Sequence, residues 1–356
     1  MSDSAYARAG VDTSRSDAAV ASLVEVLRTI DPGRPSRSVV GSGHYAAVLR
    51  LDERTGIALC TDGVGSKVIV AEQLGRFDTV GIDCIAMNVN DLVCVGAEPI
   101  ALVDYIAVES ADPEMLRQLA EGLKAGAEQA GIEIPGGELA QLPELIRGHP
   151  SPHGFDLAAS AFGTIALDEI VTGDRIEAGD ALIGVPASGL HSNGYTLARS
   201  VLTDLDETPP QLGGASVGEV LLEPTVIYVR AALDLLRSDV DVRGLAHITG
   251  DGMLNLLRLN GRVGFRVDAP LPAPAVFGLI AERGGVAAAD MWETFNMGTG
   301  FVAVVPEADT ERAAELLASH HPGAAPIGSV TTEAGVVEIP PAGIAGRRDA
   351  GFQPLP

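Results

Sequence analysis

The stretch T-V-G-I-D-C-I-A-M-N-V-N-D-L-V-C-V at 79–95 places the strongest demand on the fold. Ile82, Ile85, Val89, Leu92 and Val93 recur at helical spacing, so the segment reads as a helix with one face in a core. Asn88, Asn90 and Asp91 lie off that face or at its edge, turned toward something that wants polar groups. Strand-like runs surround this helix. Tyr45–Leu51 and Ile57–Cys60 are short β-like runs separated by D-E-R-T-G, and Ile100–Val108 reads as a strand. A helix over 113–130, a strand within G-I-E-I-P-G-G-E (131–138) and a strand over Phe155–Leu167 follow. Upstream, Asp17 can cap a helix through Val20, Leu23, Val24, Leu27 and Ile30 that Pro32-Gly33 ends.

The alternation breaks at D-E-I-V-T-G-D-R-I-E-A-G-D (168–180), a polar, glycine-rich connection, after which A-L-I-G-V starts a new strand. A chain of 356 residues exceeds what one core ordinarily fills. Two domains are therefore expected, 1–168 and 169–340, with a peripheral Pro-rich tail over 341–356. In the second half, helices are expected after Asn193, through Val226–Leu236, near Ala275–Arg283 and from Thr310, with a strand at Phe301–Val305.

Charge excludes one class of partner. The formal net charge of −24 repels nucleic-acid backbones, so any phosphate must be held locally. No apolar run reaches the roughly 18 residues of a membrane helix. The opening M-S-D-S-A-Y-A-R lacks a basic region followed by an apolar stretch, which makes cytoplasm the expected compartment. Cys60, Cys84 and Cys94 show no CxxC spacing and read as reduced, buried thiols.

Chemistry-bearing residues gather at element ends. C-T-D-G-V-G-S-K (60–67) puts Asp62 directly after a strand, with Gly63 and Gly65 allowing close backbone approach to a ligand. The order Gly-Ser-Lys is not the Gly-Lys-Ser/Thr of a P-loop, so a carboxylate would have to bring phosphate in through a bridging metal. Lys67 is one of only two lysines in the chain, against 22 arginines, which hints at a role. Asp91, Asp104 and Glu138 add acids suited to Mg²⁺, which takes few carboxylates plus phosphate oxygens. Each acid alone also has a plain reading as a cap or turn residue. S-G-L-H-S-N-G-Y (188–195) sets His191, Ser192 and Asn193 before an apolar helix that Asn193 could cap, and the free N–H groups there would favour an anion. A-H-I-T-G-D-G (246–252) repeats the arrangement with His247, and F-N-M-G-T-G (295–300) supplies another glycine turn with Asn296.

In that order, T-D-G-V-G-S-K, N-V-N-D, G-A-E-P, G-G-E, G-L-H-S-N-G-Y, A-H-I-T-G and F-N-M-G-T-G resemble the phosphoribosylformylglycinamidine cyclo-ligase family, also called AIR synthetases, from A-G-V-D (9–12) to about Val305. The resemblance implies two α+β domains, the first pairing its sheet across a homodimer into a closed barrel. It implies an ATP- and Mg²⁺-dependent ring closure of formylglycinamidine ribonucleotide to aminoimidazole ribonucleotide, the fifth step of purine synthesis. By motif, Asp62 and Asp91 would hold Mg²⁺ and the ATP phosphates, Lys67 would face the phosphates, and Glu138 would share their cleft. His191 and His247 would sit nearer the substrate, with Ser192 and Asn193 at its phosphate or the reacting amide.

Three stretches depart from the family pattern. V-G-S-G-H-Y-A-A-V (40–48) stands where members carry a G-G-F-G-G-like nucleotide loop, so the loop is stiffer and His44 enters it. G-G-E-L-A-Q-L-P-E (136–144) replaces G-G-E-T-A-E-M-P-G, and Asp251 replaces a glycine in H-I-T-G-G-G, with that segment one residue shorter. Together these resemble a branch best represented in archaea. The fold also serves selenophosphate synthetase, which uses a Cys or selenocysteine near its start, and a hydrogenase-maturation dehydratase, which uses a C-terminal Cys. Here no Cys precedes Cys60 and the chain ends F-Q-P-L-P. Thiamine-monophosphate kinase and a non-catalytic regulatory homologue stand as the alternatives.

Overall fold

The computed structural model describes residues 13–355, so the A-G-V-D segment at 9–12 lies outside the described residues. The first half is built from α1 (Thr13–Leu27), β1 (Ser38–Val40), β2 (Ala47–Arg50), β3 (Thr55–Gly63), α2 (Val68–Leu74), α3 (Val80–Cys94), β4 (Glu98–Val108), α4 (Pro113–Ala130), β5 (Glu133–Gln141) and β6 (Phe155–Ala166). Helix α1 begins before Asp17, which therefore lies inside the helix and not at its cap. The six strands form one sheet in the order β1-β2-β3-β6-β4-β5, with only the β4/β5 pair parallel.

Helix α4 shows how local signals fix an element. The Asp112 side chain accepts hydrogen bonds from the backbone N–H groups of Glu114 (2.8 Å) and Met115 (3.1 Å), Pro113 occupies the first turn, and Gly131 ends the helix at φ +74°. Its glycines then permit unusually close packing on α3. A Cβ on Gly122 would lie 2.4 Å from the Asp78 carbonyl oxygen, and one on Gly126 would lie 2.9 Å from Cγ1 of Ile85. Helix α3 is thereby buried on nearly every side, Asn88 and Asn90 included. Ile82 and Ile85 pack on α4, Asn88 bonds β3 of the sheet, and Asp83, Asn90 and Asp91 meet the second half of the chain.

That second half contains β7 (Ala181–Pro186), α5 (Tyr195–Val201), α6 (Val217–Leu221), α7 (Val229–Leu236), β8 (Gly244–His247), β9 (Gly264–Val267), α8 (Ala275–Gly284), α9 (Ala288–Thr294), β10 (Thr299–Val305), α10 (Thr310–His320) and β11 (Ala325–Thr331). Strands β12 (Val337–Ile339), β13 (Ile344–Arg347) and β14 (Gly351–Pro354) complete an eight-stranded sheet, ordered β14-β13-β12-β9-β11-β7-β10-β8. The tail expected to be peripheral is thus part of the sheet. Phe352 is buried, and Leu355 N–H bonds the Gly343 carbonyl, because β13 and β14 form a hairpin that extends the sheet edge.

The two sheets are separated by residues 167–180. One face of the first sheet stays open in the single chain: along β6 buried and more exposed residues alternate, and neighbouring Leu59, Val103 and Tyr105 reach solvent. No helix among the described residues is long and apolar enough to cross a membrane.

Candidate active site

Strand β3 carries Asp62 to its end, where the carboxylate accepts a hydrogen bond from the Gly63 N–H (2.7 Å) and the Asn88 amide donates to the Asp62 carbonyl (3.1 Å). A Cβ on Gly63 would press to 3.2 Å from the Leu157 carbonyl, so glycine lets the strand end tuck against β6. Burial raises the Asp62 carboxyl above its ordinary range, and the negative charge of Asp91 adds to the rise. Two carboxylates that repel each other in a shaded site form a donor set suited to a hard cation. Among the described residues no group of three or more His, Cys, Asp or Glu side chains is arranged to hold an ion. A cation here would take the rest of its shell from water and phosphate oxygens.

Asp91 joins the two halves of the chain. Its Oδ1 lies 2.9 Å from Nδ1 of His247, which is wholly buried at the end of β8. The Asn90 amide approaches the other ring nitrogen at 3.4 Å and donates to the Val226 carbonyl at 2.9 Å, while Asn90 Oδ1 accepts from the Tyr228 N–H. A proton on Nδ1 satisfies both of these ring contacts. His247 therefore orients Asp91 and has no free nitrogen for substrate, a more indirect place than the resemblance implied.

His191 sits differently. Its backbone is in the left-handed region at φ +62°, its Nε2 accepts from the Ser188 N–H at 3.3 Å, and its buried Nδ1 has no partner. With Nε2 accepting, the neutral ring carries its proton on Nδ1. Burial pushes the ring's pKa well below 6.5, and the Lys67 ammonium adds to the fall. Gly300 makes room for this ring: a Cβ there would lie 2.6 Å from His191 Cε1 and 2.0 Å from the Tyr228 hydroxyl. Asn296 braces the same loop by donating to the Gly189 carbonyl at 2.8 Å.

Lys67 and Ser192 occupy places other than the expected ones. The Lys67 ammonium is fully buried, bonded to Asp83 (2.9 Å) and to the carbonyls of His191 (3.1 Å) and Glu223 (2.6 Å). Ser192 Oγ lies 3.2 Å from the same Asp83 and 3.0 Å from Thr225 Oγ1. Both side chains therefore serve a sealed junction between the two halves and do not face an open cleft. Gly65, at φ +70°, starts the 3-10 turn that aims Lys67 inward. Asn193 provides no side-chain cap to α5, whose N-terminal position is taken by Gly194 at φ +76°. Its Oδ1 instead faces Gly250 in the H-I-T-G turn, and its Nδ2 is buried without a partner. Glu138 is exposed and pairs in register with Tyr105, on the sheet face opposite to Asp104, away from Asp62 within one chain. Asp104 lies on the Asp62 row of the sheet, folded over Gly137.

His44 lies on the 40–48 loop, its ring edge-on to Tyr45, and burial lowers its pKa. Three participants were not singled out from sequence: Asp83, Tyr45 and Arg258. Asp83 had a signal, since a lone acid inside the apolar run V-G-I-D-C-I needs a buried cation, and lysine is scarce in this chain.

Comparison with known proteins decides the family. Residues 43–165 match the family described as "AIR synthase related protein, N-terminal domain", and 177–339 match "AIR synthase related protein, C-terminal domain". The chain belongs to the AIR synthase family. Within it, the chain is 46% identical over 338 residues to a phosphoribosylformylglycinamidine cyclo-ligase of Methanothermobacter thermautotrophicus, covering 94% of this chain and 96% of that one. Identity to the protein of the same name from Thermococcus gammatolerans is also 46%, over 93% and 96% of the two chains. Solved structures share the fold at lower identity. Hydrogenase maturation protein HypE in complex with ATP superposes with a TM-score of 0.60 at 21% identity, over 86% and 87% of the chains. Thiamine-monophosphate kinase from Stenotrophomonas maltophilia gives 0.58 at 20%, over 85% and 91%. The AIR synthase family thus has the two-domain α+β fold seen here, and the archaeal flavour of the departing motifs agrees with its relatives.

Proposed function

We propose that this chain is an ATP-dependent cyclo-ligase that closes formylglycinamidine ribonucleotide to 5-aminoimidazole ribonucleotide. In this reaction the formyl oxygen takes the γ-phosphoryl group of ATP, a nitrogen attacks the activated carbon, and ADP and phosphate depart. The observation that carries the reading is the Asp91–His247 bond at 2.9 Å, which couples a carboxylate of one domain to a histidine of the other beside Asp62. Cyclo-ligase relatives at 46% identity over nearly the whole chain support it.

Asp62 and Asp91 would hold Mg²⁺, which when bound offsets the charge of the transferring phosphoryl group. His247 keeps Asp91 oriented. His191, kept neutral by burial, has its Nδ1–H free to donate to the oxygen that leaves as phosphate. The Gly63 turn brings backbone close to the nucleotide. Glu138 and the exposed Leu59–Tyr105 face fit a second copy, with sheets of two protomers closing into a barrel that covers the apolar face. Cytoplasmic work on small phosphorylated substrates agrees with a net charge of −24.

The test is incubation with formylglycinamidine ribonucleotide, ATP and Mg²⁺, assaying ADP and the aminoimidazole product. Equimolar ADP and product are expected. ADP release that does not depend on the substrate, or ADP without ring closure, defeats the reading.

A further inference from the structure

Arg258 lies at the end of the 3-10 turn that follows H-I-T-G-D-G, and its guanidinium carbon stands 5.4 Å from the centre of the Tyr45 ring. Tyr45 is itself fixed. It is buried, and its hydroxyl donates to the Asn255 carbonyl at 3.1 Å, so the 40–48 loop of the first domain is latched onto the second. A planar cation over such a ring keeps its orientation while its edges remain available.

The bonding of that cation is incomplete. Nη2 donates to Asp251 Oδ2 at 3.0 Å, Nε is buried without a partner, and the side chain is only 28% exposed. Asp251 is 54% exposed, so its pairing with Arg258 is weak and readily exchanged. Arg258 closes the turn that begins just after His247, the residue bonded to Asp91, and it lies over Tyr45, the neighbour of His44, so it stands on the His247 side of the cleft. Lys67, by contrast, is committed to Asp83 and two carbonyls. Arg258 is therefore the incompletely bonded guanidinium on that side of the cleft, open to a phosphate that Asp62 and Asp91 would hold through a bridging cation.

We propose that Arg258 is a phosphate-binding residue of this cleft, presented by the Tyr45 ring and exchanging Asp251 for a ligand phosphate when the site fills. The proposal rests on reading the cleft as a phosphoryl-transfer site. It assigns Asp251, which stands where family members carry glycine, the role of a competing anion that sets how tightly phosphate is held. The shared chemistry is a phosphate group, from either the nucleotide or the phosphoribosyl substrate.

Arg258→Met, Arg258→Lys and Asp251→Asn in the full chain separate these sources. Calorimetric titration with ADP plus Mg²⁺ and, separately, with ribose 5-phosphate gives Kd, and steady-state assays give KM for ATP and for the formylglycinamidine substrate. Arg258→Met, which keeps the apolar stem, is expected to weaken one of the two ligands by about tenfold, with Arg258→Lys recovering part of the loss. A change confined to ADP and ATP assigns the nucleotide, and one confined to ribose 5-phosphate and the substrate assigns the other source. Asp251→Asn is expected to tighten the same ligand. Unchanged Kd and KM for both ligands in a normally melting Arg258→Met protein overturns the proposal. If that variant fails to fold, unchanged or weakened binding by Asp251→Asn overturns it instead. A wild-type protein that binds ADP through Arg258 yet makes no aminoimidazole product would defeat the cyclo-ligase reading and leave the Arg258 assignment standing.

Discussion

Lys67 Nζ lies 2.8 Å from Asp83 Oδ2, and neither side chain reaches solvent. Around this pair the Thr225 N–H (2.8 Å), the Thr225 hydroxyl (2.5 Å) and the Ser192 hydroxyl (3.2 Å) converge on Asp83 Oδ1, while Lys67 binds carbonyls of the second domain. Burial lowers the Lys67 pKa, and Asp83 opposes that fall. A buried ion pair adds little stability over an apolar substitute, but one partner left alone is expensive.

Lys67→Met should therefore destabilise the protein by about 3–5 kcal/mol, because Asp83 is left charged and buried. Adding Asp83→Asn, which keeps an acceptor for Thr225 and Ser192, should recover part of that loss. Denaturant unfolding of both single variants and the double gives the coupling energy, and strictly additive effects would contradict the pairing.

Asp62→Asn removes a carboxylate from the cleft while leaving an acceptor for the Gly63 N–H. Turnover should fall on the order of 10²-fold with the melting temperature held, since the loss is of charge positioned at the phosphoryl group. Activity that survives unchanged at low Mg²⁺ would remove Asp62 from the metal site.

The depressed pKa of His191 has a direct consequence for pH dependence. Below its ordinary value of about 6.5 the unfolded chain binds a proton that the folded site refuses, so stability falls as pH drops through that region. The contribution of one such group is at most about 1.4 kcal/mol per pH unit. His44 and His321 shift the same way, whereas Asp62 shifts upward and acts with the opposite sign, nearer the carboxylate range. Melting curves from pH 7.5 to 5.5 should show a shallower slope for His191→Gln than for the wild type. Equal slopes would mean that His191 titrates normally.

Gly300→Ala tests how the His191 ring is held. The new Cβ would meet the Tyr228 hydroxyl at 2.0 Å and His191 Cε1 at 2.6 Å, inside a strand with no exposed residue. Destabilisation of about 1–3 kcal/mol is expected together with lost turnover. Normal kcat in a stable variant would show that the ring can move without cost to the chemistry.

Leu59 and Val103, each 38% exposed, lie on the open face of the first sheet. Leu59→Asp and Val103→Asp should convert a dimer to monomers in sedimentation experiments if that face joins two copies. Sedimentation of the wild type as a monomer at micromolar concentration would refute the barrel pairing.

Sequence by itself determined the elements whose signals are local. The α4 boundaries follow from Asp112, Pro113 and Gly131, and β3 leads into Asp62 because an apolar run meets a glycine turn. The motif order was also sufficient to place the chain in its family. Short strands such as β8, β9 and β12–β14 escaped reading because three or four residues carry too little periodicity, and the last of them were hidden by a Pro-rich context. The site divided along the same line. Which carboxylates could matter was legible in T-D-G and N-V-N-D, but Lys67, near Asp62 in sequence, is sealed against Asp83, while Arg258, almost two hundred residues distant, is brought over Tyr45 of the first domain. Only the tertiary structure could decide this, because a buried charge goes wherever a partner satisfies it: Asp83 meets Lys67 by packing within the first domain, and Glu223 and Tyr45 come into reach of Lys67 and Arg258 only where the two domains meet.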